Sequence, residues 1–249
     1  MAGHSKWANI KRQKARVDAK KGKTFTQLSR AIIVAARNGV ADPDGNFQLR
    51  TAIDKAKAAG VANDSIERSL AKGAGTYQDD DATLEEVRYE GYGAGGVAVL
   101  IEALTDNRNR TAAYLRSAFT KNGGNLGETG CVSWMFAQKG VVTLETADEE
   151  KLLEASIEAE ADTYEIYDDD SVEVYTIATN LDNLNQTLLR YNLVVKDMEL
   201  RWIPNSDIEI TDAEQGRSLL KLIDTLESLD DVQNVTANFV AEELMTVMS

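Results

Sequence analysis

An α+β fold in three parts is what this sequence predicts, from three observations. Residues 24–73 place their apolar side chains at helical spacing. From Val87 onward the period changes to alternation, interrupted by isolated helical segments. The two regimes are separated by GAGTYQDDDATLEE (Gly73–Glu86), glycine first and acid after, which is the composition of a linker. The expected organisation is a basic arm and helical bundle over 1–75, then a discontinuous α/β domain over 76–137 and 208–249. An acidic ferredoxin-like domain over 138–207 is expected to be inserted into the latter.

The first helix should run from Thr24 to a stop at Gly39, with Phe25, Leu28, Ile32 and Ala36 on one stripe. DPDGN (Asp42–Asn46) is a turn, and Asn46 is placed to cap a second helix through Leu49, Ile53 and Ala56 to Gly60. Asp64 with Glu67 resembles a capping box for a third, through Ile66 and Leu70 to Gly73. Three helices with one stripe each must bury those stripes together, so a small bundle is expected.

After the linker, Val87 and Tyr89 alternate with Arg88 and Glu90, and Val97–Leu104 reads as a buried strand. Asn107–Thr120 reads as a helix through Ala112, Leu115 and Phe119, and Val132, Trp134 and Phe136 alternate as a strand. From Val141 the order is strand Val141–Glu145, helix Glu149–Glu160, strands Tyr164–Tyr167 and Val172–Thr176, helix Leu181–Arg190 and strand Val194–Trp202. That βαββαβ order predicts a ferredoxin-like unit. Pro204 follows, then a helix carrying Leu219, Leu222, Ile223 and Leu226 and a strand near Val232–Thr236. These two supply what the Val87–Phe136 block lacks to cover its sheet. The last strand is therefore expected in the Val97–Leu104/Cys131–Phe136 sheet.

The net charge of −14 hides an uneven distribution, +9 over residues 1–75 and −23 over the remainder. Lys6, Lys11, Arg12, Lys14, Arg16, Lys20, Lys21 and Lys23 face only Asp18. Exposed charges stop sensing one another beyond about 8 Å at physiological ionic strength, so local charge decides what a surface attracts. This is the pattern of a polyanion-binding arm on an acidic body, and its self-repulsion implies that the arm orders on a partner. The apolar runs Ala31–Ala36 and Val97–Ile101 are too short to cross a bilayer, and no apolar signal stretch follows Met1. A single cysteine, Cys131, excludes an intramolecular disulfide. A cytoplasmic protein without a membrane partner is expected.

GYGAGG (Gly91–Gly96) satisfies the dinucleotide pattern, but VAVLIEAL follows as a strand where a phosphate-holding helix is required. A glycine-rich strand connection is the reading preferred. His4 is the only histidine, so zinc or histidine acid–base chemistry lacks partners, and no cofactor, metal or small-molecule substrate is expected. No single carboxylate pair stands out among 41 acids, and the expectation is a non-enzyme. Thirteen acids against Lys151 alone, from Glu145 to Glu173, form a solvated face or one kept off phosphate backbones.

DNRNRT (Asp106–Thr111) is the most specific internal motif. With Asp106 as a cap, Arg108 and Arg110 fall in the first helical turn, where the dipole disfavours cations by about 0.3–1 kcal/mol each. Two readings stand: a phosphate site of guanidinium forks beside free helical N–H groups, or pairing with neighbouring acids. Trp7 likewise has two readings, as a base-stacking residue among lysines or as an anchor for the arm.

MAGHSKWANIKRQKARVDAKKGKTFTQLSR, YEGYGAGG, LTDNRNRT and GGNLGETGCVSWMF occur in this order, and together they resemble the YebC/PmpR family over the full length. Ala94 stands where that family commonly has Pro, and Cys131 where it commonly has Ser. The resemblance implies a three-domain protein with two ferredoxin-like domains. It also implies a DNA-binding transcriptional regulator, or a ribosome-associated translation factor that relieves stalling at stretches such as consecutive prolines. Both are nucleic-acid partnerships, with DNA or with ribosomal RNA. The residues expected to carry them are Lys6, Trp7, Lys11, Arg12, Lys14, Arg16, Lys20, Lys21, Lys23, Arg108 and Arg110.

Overall fold

The computed structural model describes residues 24–77, 84–146, 148–167 and 169–240. Three helices open it: α1 (Phe25–Asn38), α2 (Phe47–Ala58) and α3 (Asn63–Gly73). Thr24 caps α1 through a reciprocal box with Gln27, and the Asn46 side chain accepts from the Leu49 N–H to cap α2. The third cap differs from the expected Asp64. The helix starts two residues earlier, behind Ala62, and Asp64 lies in its first turn, where a carboxylate still suits the dipole. Leu28, Ile32, Leu49, Ile53, Ala56 and Ile66 form the common core of the bundle. A Cβ at Gly73 would stand 2.6 Å from the Ala36 Cβ, so only glycine lets α3 close this tightly on α1.

A four-stranded antiparallel sheet follows, ordered β3-β1-β2-β9, from β1 (Glu85–Tyr92), β2 (Ala98–Thr105), β3 (Asn125–Leu126) and β9 (Val232–Ala237). Two helices, α4 (Arg108–Lys121) and α7 (Ala213–Glu227), cover one face. There Leu115, Phe119, Leu219, Leu222 and Leu226 meet Val97, Val99, Ile101 and Val235. The GYGAGG stretch turns β1 into β2, with Gly95 and Gly96 at φ +69° and +76°, a region that disfavours side chains.

The second four-stranded sheet has the order β5-β6-β4-β7 and comprises β4 (Phe136–Leu144), β5 (Thr163–Ile166), β6 (Val172–Ile177) and β7 (Val195–Pro204). Together with α5 (Glu149–Glu158) and α6 (Leu181–Arg190) it has the ferredoxin-like βαββαβ connection. Its core joins Val142, Leu144, Val172 and Val174 to Leu152, Ala155, Leu184 and Leu188. A short parallel pair, β8 (Ile208–Glu209) with β10 (Phe239–Val240), follows the second sheet, and β9 returns to β2 of the first.

The expected strand at Val132–Phe136 is absent. Ser133–Met135 is a turn of 3₁₀ helix, and the strand begins only at Phe136. The cause is Glu90, 3% exposed, whose carboxylate accepts from the N–H groups of Gly130, Val132 and Ser133 and takes them out of any ladder.

Candidate nucleic-acid interface

The arm residues Lys6, Trp7, Lys11, Arg12, Lys14, Arg16, Lys20, Lys21 and Lys23 lie outside the described residues. Their point of attachment does not. Thr24, Gln27 and Arg30 are three apart and share one face of α1, which rests on the turn between α7 and β9. The Thr24 hydroxyl donates to Asp230 Oδ1 at 2.8 Å. The Gln27 amide, 5% exposed, donates to the carbonyls of Glu227 at 2.7 Å and Leu229 at 3.1 Å. Arg30 makes an ion pair with Asp231. Further along, Arg37 and Asn38 reach Glu86 at the start of β1. Helix α1 thus crosses the end of the first sheet where β1 begins, β2 finishes and β9 begins.

The DNRNRT motif lies at that same end. Asn107, rather than the expected Asp106, is the N-cap of α4, and its side chain accepts from the Arg110 N–H at 3.0 Å. Asn107 takes this position because its own N–H is held by Thr105 Oγ1 at 2.9 Å. Asp106 is left outside the helix and pairs with Arg110 four residues on. Arg108 pairs with Glu85, yet its side chain remains 63% exposed and that of Glu85 52%. Such exposed pairs are worth about 0–1 kcal/mol, so a phosphate can replace Glu85 at small cost. Arg110 is more committed, since it also reaches the buried Asp231 carboxylate at 3.3 Å.

Asp231 joins these parts. It is 7% exposed and accepts from Thr111 and Thr105 as well as from Arg30 and Arg110. Burial alone would raise its pKa, but the bonds from Thr111, Arg30 and Arg110 outweigh that and hold it below the ordinary carboxylate range. One buried anion is therefore held between guanidiniums from the helical bundle and from α4. Sequence reasoning singled out neither Asp231 nor Arg30. The T-x-x-Q box of Thr24 and Gln27 was the one local signal at this joint.

Elsewhere, charge is used structurally. Arg201 reaches across β4 to Glu173 on β6 and also pairs with Glu199 on its own strand; burial would lower its pKa, but these partners raise it. Trp134 is 69% exposed on the turn held by Glu90. No group of three or more His, Cys, Asp or Glu side chains able to hold a metal exists among the described residues. No helix among them is long and apolar enough to cross a membrane.

A helical head seated on two antiparallel sheets, with paired arginines and carboxylates where the head meets the first sheet, defines an α+β protein. Residues 84–239 match the family described as TACO1/YebC second and third domain, and residues 5–76 match the TACO1/YebC protein N-terminal domain. This chain belongs to the TACO1/YebC family. It is 74% identical to a probable transcriptional regulatory protein of Gloeothece citriformis and 71% identical to one of Trichormus variabilis, in each case over 99% of both chains. Its structure resembles the crystal structure of a conserved hypothetical protein from Aquifex aeolicus at a TM-score of 0.76 and 43% identity, covering 91% of this chain and 93% of that one.

Proposed function

We propose that this protein is a non-enzymatic, cytoplasmic nucleic-acid-binding regulator of gene expression, and that Lys6–Lys23 and Arg108/Arg110 grip phosphates along one path. The observation that carries this reading is where the arm begins. Thr24 bonds Asp230, and the next residue, Asp231, bonds Arg110. Thr24, the residue that follows the last arm cation in sequence, is thus held near α4, which supports the reading that two clusters 85 residues apart in sequence serve one polyanion. The names of the 74% and 71% identical relatives, probable transcriptional regulatory proteins, support a DNA partner.

A ribosomal RNA partner is the second reading, and the α2–α3 pair favours it. A helix-turn-helix reader needs free side chains on its second helix. On α3, however, Arg68 donates back to the Asp64 carbonyl and Lys72 lies over the Tyr77 ring at 5.2 Å. Reading of base edges is weak there, whereas shape-matched RNA does not need it.

Changing Lys20, Lys21 and Lys23 together to Ala should flatten the dependence of log K on log salt by about two to three units. An unchanged slope removes the arm from the interface. Co-sedimentation with ribosomes, run beside crosslinking to genomic DNA, then decides between the partners according to which one is enriched.

A further inference from the structure

We infer that Trp134, on the 3₁₀ turn Ser133–Met135, is a fixed stacking platform for an unpaired nucleobase. The inference rests on the nucleic-acid reading above and adds a contact to the bases, at a place that reading does not use. Glu90, which holds this turn, lies five residues along β1 from Glu85, the partner of Arg108. At about 3.4 Å per residue that is roughly 17 Å of strand, so the ring stands apart from the DNRNRT motif.

An exposed side chain ordinarily loses rotamer freedom when it binds, which subtracts from affinity. Trp134 is fixed in advance. Its carbonyl accepts from Asn205 Nδ2 at 3.2 Å, and the adjoining Met135 carbonyl accepts from the Asn205 N–H at 2.8 Å. At the other end of the side chain, the indole Nε1 donates to the Cys131 carbonyl at 3.1 Å. That carbonyl also accepts from the Tyr92 hydroxyl at 2.9 Å, and Glu90 holds the N–H groups of Gly130, Val132 and Ser133. Both backbone and indole are thus tied to a turn that is itself clamped, yet the residue stays 69% exposed. Trp202 shows the ordinary use of such a ring, with Nε1 bonded to Glu102 at 3.1 Å and the Arg88 guanidinium 5.1 Å from its centre. With its N–H already engaged, Trp134 offers a π face instead of a donor, and that selects a flat partner.

The surroundings select a base among flat partners. Residues 76–249 carry a net charge of −23, and most of that surface repels phosphate. Along residues 122–138, however, Glu128 is the one charged side chain, and residues 203–206, which bond to the turn, have none. A nucleic-acid strand reaching Trp134 therefore meets amides, hydroxyls and glycine backbone. A duplex keeps its bases stacked on one another, so only a single strand, a loop or an end supplies a free face.

The test uses the full chain and fluorescence anisotropy at 150 mM salt with three probes: a 30-nucleotide oligouridine RNA, an abasic strand of the same length, and a 30-base-pair DNA duplex. Trp134→Ala should weaken binding to oligouridine by about fivefold to a hundredfold, the range set by one stacked base. Trp134→Tyr keeps a π face and should stay within about threefold of the native chain. On the abasic strand and on the duplex, Trp134→Ala and the native chain should agree within about twofold. An equal loss on all three probes overturns the platform, because the ring would then act without a base. Unchanged oligouridine binding by Trp134→Ala overturns it too, and leaves the exposed ring to a protein partner while the phosphate grip stands. If the native chain binds none of the probes, the nucleic-acid reading fails and this inference with it.

Discussion

Glu90 shows how much one buried carboxylate can decide. Burial would raise its pKa, but the N–H groups of Val132, Gly130 and Ser133 lower it further than burial lifts it. A carboxyl whose pKa falls on folding stabilises the native state above its unfolded value, near 4.5, and loses that contribution as pH drops through the folded value. Asp231 has the same sign for the same reason. Glu90→Gln keeps the shape but offers one carbonyl and an amide donor to three N–H groups. It should cost about 1–3 kcal/mol at pH 7, the penalty of an unsatisfied buried group. The difference from the native chain should shrink between about pH 5 and pH 3, as the native carboxyl takes up its proton. Urea unfolding at pH 7 and pH 3.5 measures both. A constant difference would mean that the carboxylate charge is not what holds the turn.

At the level of elements, α4 rests on Asn107, whose side chain accepts from the Arg110 N–H. Asn107→Ala should destabilise the protein by about 0.5–2 kcal/mol, with unfolding in urea as the measure. Asp106→Ala should cost far less in the same assay, since Asp106 contributes only a half-exposed pair. The sequence placed this helix to within a residue and still favoured the wrong cap. Asp, Asn and Ser are near-equivalent caps locally, and the choice was made by Thr105, which holds the Asn107 N–H.

The same boundary separates what was legible from what was not. Helices α1 and α2 carry their caps and stripes within a dozen residues, and both ends were readable. The strand expected at Val132–Phe136 failed because its N–H groups are claimed by Glu90, some 40 residues upstream, and alternation cannot register a distant acceptor. The return of β9 to β2 was inferable, because a sheet with one uncovered face needs a helix and the tail supplied one. At the interface, DNRNRT was visible as a motif. Asp231 was one acid among 41, given its meaning only by the approach of α1.

For the molecule as a whole, the question is whether a net charge of −14 or its local distribution governs binding. The outer face of α5 makes this measurable, because Glu149, Glu150 and Glu154 are exposed on the ferredoxin-like unit. Changing all three to Gln raises the net charge by three. That equals in size the change caused by removing Lys20, Lys21 and Lys23. At 150 mM salt the screening length is about 8 Å, so the glutamine variant should bind a DNA duplex or an RNA strand within about twofold of the native chain. The lysine variant should lose more than about tenfold. At 10 mM salt screening extends to about 30 Å, the acidic face is felt from further away, and the glutamine variant should tighten. Anisotropy at the two salt concentrations compares them directly. A tenfold gain for the glutamine variant at 150 mM would show instead that the α5 acids hold the arm themselves, and that nucleic acid must displace them before it can bind.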